Sequence, residues 1–249
     1  MTEPTVKPLK RKAYGSIGHL PESRLGPGDW HVHEGQARIA CLKPRDRHDR
    51  IIVTEKLDGS CTAVARIGDE IVALGRAGYL ADTSPYEQHR MFSEWVAANA
   101  ARFLEALRDG ERMVGEWLAQ AHGTRYPAFT EGPWFPFDVM VAEVRLTHDE
   151  AVERANAAGL TPVPLLSDGP AFSVEQAEAA IGEYGTLAAL DRAEGAVWRV
   201  ERQGKFDYLA KYVRTGKTDG AYLPEISGGE AVWNWHAARP GGMPAQEVK

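Results

Sequence analysis

Short apolar runs separated by turn residues fill the chain from position 51 onward. Residues 51–57 (IIVTEKL) are rich in β-branched side chains and precede Asp58-Gly59, which predicts a strand that ends in a tight turn. The same pattern predicts strands at 61–67, 70–75, 112–118, 135–141, 196–200 and 206–213. Gly68-Asp69, between the second and third of these strands, is typical of a hairpin turn.

Three helices are predicted from N-terminal capping patterns, in which Ser or Thr precedes Glu or Gln by three positions. The predicted starts are Ser84 with Glu87, Thr147 with Glu150 and Ser173 with Gln176, and the predicted ends are Gly110, Gly159 and Gly182. Strands run in pairs between these helices and do not alternate strictly with them. This order favours an α+β fold, with antiparallel sheets flanked by helices, over a parallel doubly wound fold.

Composition and charge argue against several classes of protein. A net charge of −6 argues against a nonspecific nucleic-acid coat protein, although it leaves room for a local basic groove. Two cysteines, Cys41 and Cys61, cannot form a disulfide framework and neither belongs to a metal-ligand pair, which suggests a reducing compartment. The N-terminus lacks the apolar core of a signal peptide, and no apolar run approaches the ~20 residues of a membrane span. We therefore expect a soluble cytoplasmic protein.

Lys56 is the first candidate for chemistry. It lies at the end of a predicted buried strand, immediately before the Asp58-Gly59 turn, where a solvated surface cation would be poorly placed. A lysine amine attacks phosphorus only when deprotonated, and burial or nearby cations lower the pKa of a lysine. On the tetrapeptide alone, an ordinary charged pair at a strand end explains the pattern as well as a nucleophile does.

Four downstream blocks strengthen the interpretation of Lys56 as a nucleophile. Each places a carboxylate, an aromatic ring or a lysine in or beside a predicted strand; they contain Glu116, Phe137, Glu194 and Lys211. A nucleotide site needs such a set: a platform for the base, an acceptor for the ribose hydroxyls, carboxylates for Mg²⁺ and cations for the phosphates.

In their order and spacing these blocks resemble the motifs of the covalent nucleotidyltransferases, which include ATP-dependent DNA ligases, RNA ligases and mRNA capping enzymes. The chain looks most like the RNA ligase family typified by the nick-sealing ligase of phage T4. The resemblance covers roughly residues 50–215. It implies the nucleotidyltransferase fold and a requirement for ATP with Mg²⁺ or Mn²⁺.

The resemblance also implies a role for each matching residue around the nucleotide. Lys56 matches the nucleophile that forms a phosphoramidate with AMP, and Glu55 matches an acidic position near the adenine. Arg76 matches the arginine that contacts the nucleotide or the 5′-phosphate end. Glu116 matches the acid that holds a ribose hydroxyl, and Phe137 matches the aromatic ring that stacks on adenine.

At the phosphate end, Glu194 matches the metal-associated carboxylate, and we expect Glu116 to share the metal with it. Lys211 matches the lysine on the α-phosphate. The final motif of the family usually has two lysines separated by one residue, and here Leu209 stands at the first of these positions. We therefore expect Arg214 or Lys217 to assist Lys211.

Three parts of the chain follow from this reading. Residues 1–50 form a loop-rich segment that we expect to pack on the catalytic domain, residues 51–217 form the nucleotidyltransferase domain, and residues 218–249 form a C-terminal extension. Only 35 residues follow Arg214, which is too few for the OB barrel that DNA ligases and capping enzymes usually carry.

The expected function is that of an ATP-dependent RNA ligase that seals 3′-hydroxyl and 5′-phosphate ends. The expected partner is RNA, either as a nicked duplex or as RNA ends. A DNA ligase or a capping-type nucleotidyltransferase is the nearest alternative. A nucleotide-binding regulator without catalytic activity is a second alternative, which the presence of Lys56, Glu116 and Glu194 disfavours. The sequence leaves the oligomeric state open.

Two polar segments of the N-terminal region have competing interpretations. His31 and His33 could bind a metal, but no second ligand cluster is spaced to complete the site, so a structural role or a substrate contact is favoured. The run that contains Arg45, Arg47 and Arg50 reads first as a solvated loop. Its position just before the Lys56 strand also allows a role in binding phosphate.

Overall fold

The computed structural model describes residues 7–236; the last thirteen residues of the expected C-terminal extension lie outside this range, as do residues 1–6. The strands are β1 (Gly18–His19), β2 (Asp49–Lys56), β3 (Ser60–Ile67), β4 (Glu70–Gly75), β5 (Glu111–Trp117), β6 (Trp134–Val141), β7 (Val144–Arg145), β8 (Leu165–Gly169), β9 (Gly195–Arg202) and β10 (Lys205–Val213). The α-helices are α1 (Glu34–Cys41), α2 (Glu87–Ala98), α3 (Ala100–Ala106), α4 (His148–Ala157), α5 (Val174–Ile181) and α6 (Pro224–Ser227), and a 3₁₀ turn spans Ala81–Thr83.

The strands form two five-stranded sheets. Sheet A has the order β1-β10-β9-β2-β8 and sheet B has the order β4-β3-β5-β6-β7. All pairs in both sheets are antiparallel except β1 with β10, which run parallel over two residues. The prediction of an α+β fold with antiparallel sheets flanked by helices is therefore confirmed.

Each sheet packs its outer face on helices and its inner face toward the other sheet. On sheet B, an aromatic-rich core contains Phe92 and Phe103 from α2 and α3 together with Trp117 and Trp134 from β5 and β6. On sheet A, α1 and α5 cover Trp198 and its neighbours. Between the sheets, smaller apolar clusters join Val114 of β5 to Leu209 of β10, and they leave room beside them for a cavity.

Two of the three predicted helix starts are confirmed. Thr147 and Ser173 are the N-caps of α4 and α5, and each forms the reciprocal capping box. The prediction at Ser84 is wrong, because the Ser84 hydroxyl bonds to the His89 ring and the helix begins only at Glu87. That helix also breaks at Asn99 and does not run unbroken to position 108.

The segments outside the central strands are integral parts of the fold. In the C-terminal segment the buried Asn234 amide donates to the Leu118 carbonyl oxygen and accepts from the Tyr126 N–H, and the Trp235 ring lies edge-on to Trp117 at 5.4 Å. These contacts fix the loop after β5. In the N-terminal segment, residues 13 and 14 donate backbone hydrogen bonds to the Arg76 carbonyl oxygen.

No helix within residues 7–236 is long and apolar enough to cross a membrane.

Candidate active site

Strand register brings the predicted nucleophile and carboxylate together. Lys56, the last residue of β2, pairs with Gly195, so it lies next to Glu194, which immediately precedes β9. Lys211 on β10 pairs with Val197 of β9, which pairs in turn with Thr54 of β2. Because side chains alternate between faces along a strand, Lys56 and Lys211 point to the same inner face of sheet A.

A cavity of about 870 Å³ opens between this face and sheet B. All seven residues predicted for the site contribute to its lining: Glu55, Lys56, Arg76, Glu116, Phe137, Glu194 and Lys211. Glu116 and Phe137 come from β5 and β6 of sheet B, and Arg76 lies in the turn after β4. The cavity has the size and the mixed polar and apolar lining of a small-molecule site.

Two glycines allow the close approaches on which the cavity depends. A Cβ atom at Gly59 would lie 2.4 Å from the Trp117 carbonyl oxygen, and one at Gly195 would lie 1.9 Å from the Tyr212 carbonyl oxygen. Both distances are well inside van der Waals contact. The turn after Lys56 and the strand start after Glu194 therefore each require the residue without a side chain.

The Lys56 ammonium donates a hydrogen bond to Glu194 Oε2 at 2.7 Å. Burial works to lower the pKa of Lys56, but the carboxylates of Glu194, Glu116 and Asp58 outweigh it, and the pKa is raised. The expectation that the surroundings lower this pKa is therefore wrong for the ligand-free protein. Lys56 is held as an ammonium ion, and it must lose a proton before it can act as a nucleophile.

Glu116 lies across the cavity from Lys56. Its Oε1 accepts a hydrogen bond from the Gly59 N–H at 3.1 Å, which ties the carboxylate to the turn that follows the lysine. Burial raises the pKa of Glu116 to about 7, with Glu194 and Asp58 adding to the shift and Lys56 opposing it. Burial also raises the pKa of Glu194. Burial makes the charged forms of both carboxylates unfavourable, and a cation bound between them would offset this. The pair is therefore suited to binding a cation.

The carboxylate of Glu55 is engaged by the protein itself. It is buried and accepts hydrogen bonds from both the backbone N–H and the hydroxyl of Thr186, in the loop after α5. One of its oxygens carries both bonds. The carboxylate that the resemblance puts near the adenine is therefore already hydrogen-bonded within the ligand-free protein.

Phe137 and Arg76 are both supported from behind by the N-terminal segment. The Tyr14 ring meets the Phe137 ring edge-on, with centroids 5.2 Å apart, and the Tyr14 hydroxyl donates to Asp138. Arg76 donates to the Ser16 hydroxyl at 2.9 Å and is otherwise exposed at the cavity rim. The aromatic ring and the guanidinium are thus fixed at separate parts of the wall.

Lys217 does not face the phosphate region of the cavity. It is buried, and its ammonium pairs with the Asp58 carboxylate and donates to the Thr124 hydroxyl at 2.8 Å. Asp58 also accepts from the Gly123 N–H at 2.9 Å. Arg214 donates to the Ala193 carbonyl oxygen. Neither residue takes the place of the second motif lysine, and Leu209 lines the cavity at that position.

Two of the three arginines in the run 45–50 are engaged in ion pairs within the protein. Arg45 pairs with Asp49 and Asp207, and Arg50 pairs with Asp149 and Asp168. These pairs connect the start of β2 to β8, β10 and α4, and the run does not line the cavity. His33 has a structural role as the N-cap of α1, where its Nδ1 accepts from the Gly35 N–H at 3.1 Å.

Within residues 7–236 no group of three or more His, Cys, Asp or Glu side chains is arranged to hold a metal ion. Glu116 and Glu194 nevertheless suit Mg²⁺ or Mn²⁺. Such ions are usually bound by one or two carboxylates, with water and substrate phosphates supplying the other ligands. The charge balance also fits, because a cation would offset the burial of two adjacent carboxylates.

Sequence comparison shows the family. The RNA ligase family model matches residues 49–213, which is more than half of the chain, and the chain belongs to this family. The matched range contains the seven predicted site residues. A search of curated proteins gave no match.

Solved structures show the same fold. A point mutant of Naegleria gruberi RNA ligase determined with ATP and Mn matches with a TM-score of 0.53 and 21% identity, over 73% of this chain and 53% of that chain. Another point mutant of that ligase, in the apo form, matches with a TM-score of 0.52 and 17% identity, over 90% of this chain and 62% of that chain. This chain thus spans less than two thirds of the Naegleria protein.

The pairing of several polar residues at the site had no signal in the sequence. The Lys217–Asp58 pair joins positions 159 apart, and Arg199 reaches from β9 to the buried Asp138 of β6 at 3.1 Å. Asp29 approaches Lys211 at 3.6 Å from a loop that looked unremarkable. Pairing of charges over such separations along the chain depends on the tertiary fold. In the sequence, the one indication of such a pair is a charged residue within an apolar run.

The raised pKa of Glu116 predicts a pH-dependent cost to stability. Below its ordinary pKa of 4.5 the Glu116 carboxyl is neutral in both the folded and the unfolded protein. As the pH rises through about 7 the carboxyl must ionise in the folded protein as well, and the stability associated with its neutral form is lost. In EDTA at pH 8, Glu116→Gln should therefore unfold with a free energy about 1–3 kcal/mol higher than wild type. Denaturant titrations at pH 5 and pH 8 measure the gap, with the exposed Glu183→Gln as the charge control. A gap that does not grow between pH 5 and pH 8 would contradict the shift.

Proposed function

We propose that this chain is an ATP-dependent RNA ligase that forms a covalent lysyl-AMP intermediate at Lys56. The observation that carries the proposal is the Lys56–Glu194 pair at 2.7 Å in a cavity that also contains Glu116, Phe137 and Lys211. Membership of the RNA ligase family supports it. The Naegleria ligase solved with ATP and Mn has the same fold, which is consistent with ATP as substrate and a divalent cation as cofactor.

In the first step the Lys56 amine attacks the α-phosphorus of ATP. A nitrogen–phosphorus bond forms, the bond to the bridging oxygen breaks, and pyrophosphate leaves. Glu194 orients the lysine and lies where it can accept the proton that Lys56 must lose. Lys211, on the same face of sheet A, stabilises the charge that develops on the α-phosphate. A divalent cation held by Glu194 and Glu116 would neutralise further phosphate charge.

Recognition of the nucleotide is divided between the two sheets. Phe137 offers a stacking face for the adenine, and stacking alone does not distinguish one base from another. We assign the choice of base to backbone groups at the end of β2, because the Glu55 carboxylate is hydrogen-bonded to Thr186. We assign the ribose hydroxyls to Glu116 and the phosphates of ATP or of the RNA end to Arg76, since both residues line the cavity.

In the later steps the AMP passes to a 5′-phosphate, and a 3′-hydroxyl then displaces it to seal the strand. Both are phosphoryl transfers in which positioning and charge stabilisation do most of the work. The family assignment favours RNA ends over DNA ends as the substrate. A regulator without catalytic activity is disfavoured, because the structure brings Lys56, Glu116 and Glu194 together around one cavity.

One prediction of the proposed function concerns adduct formation. Wild-type protein incubated with α-labelled ATP and Mg²⁺ should retain label after denaturation, and labelled GTP should give far less. Glu194→Gln, which keeps the shape but not the charge, should lower the rate by about a hundredfold or more, because it removes both the proton acceptor and a metal ligand. Glu183→Gln should label like wild type. Equal labelling by ATP and GTP would point to a capping-type enzyme.

Another prediction of the proposed function concerns the sugar at the 3′-hydroxyl end that is ligated. A 2′-hydroxyl offers a donor and an acceptor that polar side chains can read, and DNA has none. Matched nicks whose 3′-hydroxyl strand ends in ribose should therefore be sealed faster than nicks that end in deoxyribose. Arg45, Arg50 and Lys217 are already paired with carboxylates of the protein, so binding should be weak and should fall steeply with salt. Faster sealing of the all-DNA nick would overturn the assignment to RNA and leave the adduct chemistry intact.

A further inference from the structure

The N-terminal segment contacts the nucleotide cavity at three points, although the family match begins only at residue 49. Tyr14 supports Phe137, Ser16 accepts from Arg76, and Asp29 approaches Lys211. The first two contacts are an edge-on ring pair and a neutral hydrogen bond. Asp29 is different, because it places a negative charge beside the lysine proposed to bind the α-phosphate.

Asp29 is held in one orientation by its own segment. Its Oδ2 accepts from the Gly26 N–H at 3.0 Å and lies 3.0 Å from His19 Nε2, although that approach is off the line of a well-formed hydrogen bond. Its Oδ1 lies 3.6 Å from the Lys211 ammonium nitrogen. Burial works to raise the pKa of Asp29, and the Gly26 N–H and Lys211 outweigh it, so the carboxylate stays ionised.

His19 is itself fixed to the strand that carries Lys211. It is buried, it pairs in register with Lys211, and its Nδ1 lies 2.6 Å from the Ser23 hydroxyl. The Ser23 hydroxyl accepts from the Val213 N–H at 2.8 Å and can donate its own hydrogen to His19 Nδ1. We assign the imidazole proton to Nε2, because this nitrogen lies 3.0 Å from the Asp29 carboxylate. Asp29 therefore lies beside a His19 ring that is itself attached to β10.

Lys211 needs such a partner for an electrostatic reason. Lys56 and Lys211 share one largely buried face, and each disfavours the charge on the other. Lys56 has Glu194 as its counter-ion at 2.7 Å. Within the part of the chain that the structure describes, Asp29 is the only carboxylate within 4.0 Å of the Lys211 ammonium. Because Leu209 occupies the place of a second lysine, the position of this one ammonium matters more.

We propose that Asp29, held by the Gly26 N–H beside the His19 ring, is a positioning residue that aims the Lys211 ammonium at the α-phosphate of ATP. The inference rests on the proposed function for the step that it serves. The contact on which it depends is a property of the ligand-free protein and can be tested separately.

The first experiment tests that contact without ATP. Trace acetylation of the lysine amines, followed by peptide mass spectrometry, compares Lys211 with the exposed Lys43 and Lys205 in the same molecules. Asp29→Asn keeps the shape and can still accept from Gly26, but it removes the charge. Labelling of Lys211 should rise several-fold relative to the two exposed lysines, and it should not rise in the exposed control Glu22→Gln. Unchanged labelling of Lys211 would overturn the proposal.

The second experiment tests the effect on the adduct-forming step. Single-turnover labelling with ATP should show the maximal rate of Asp29→Asn reduced by about ten- to a hundredfold, with little change in the ATP concentration for half-maximal rate. Asp29→Glu, which keeps the charge, should recover part of this loss. In a Lys211→Ala background, Asp29→Asn should cause no further loss, since a residue that acts through Lys211 has nothing left to position. If the two substitutions lower the rate independently, so that their effects multiply in the double variant, the proposal is overturned.

The two failures are distinguishable. If the wild-type protein forms no adduct, the proposed function is wrong, and the acetylation experiment still decides whether Asp29 controls Lys211. If wild type forms adduct and Asp29→Asn does so at the same rate, the proposed function stands and the role of Asp29 is wrong.

Discussion

Placing the ammonium groups of Lys56 and Lys211 and several carboxylates around one largely buried cavity is the constraint on which the rest of the structure depends. A charge withdrawn from water is tolerated only when it is paired and hydrogen-bonded. Lys56 is paired with Glu194, Asp58 is paired with Lys217, and Lys211 is approached by Asp29. Glu116, whose pKa is raised to about 7, is the member with the least compensation, which makes it the group that gains most from a bound cation.

The elements that satisfy these charges come from well beyond the strands that carry the motifs. Lys217 follows β10, and the loop that presents Gly123 and Thr124 to the Lys217–Asp58 pair is fixed from the C-terminal side by Asn234. Asp29 belongs to the N-terminal segment, which also supports Phe137 through Tyr14. The terminal segments therefore complete the nucleotide site in addition to covering the core.

Local patterns in the sequence were sufficient for most of the strands, because a β-branched run between turn residues is a short-range signal. The order of the motif blocks also placed Lys56, Glu116 and Glu194 at strand ends that converge. What the sequence could not provide was the pairing of charges distant in the chain. Lys217 looked like a phosphate ligand and is a buried partner of Asp58, while the carboxylate of Glu55 is taken by Thr186. Ser84 shows the same limit at short range, since its hydroxyl bonds to His89 and caps no helix.

The proposed function requires Lys56 to be the nucleophile toward ATP. The most direct measurement is to locate the AMP group on protein that has reacted with ATP and Mg²⁺, by proteolysis and tandem mass spectrometry under conditions that preserve a nitrogen–phosphorus bond. We expect a single modified residue, Lys56, joined to AMP by a bond that is labile in acid and stable in mild base. AMP attached to Lys211 or to a hydroxyl side chain, or no AMP on the chain at all, would contradict it.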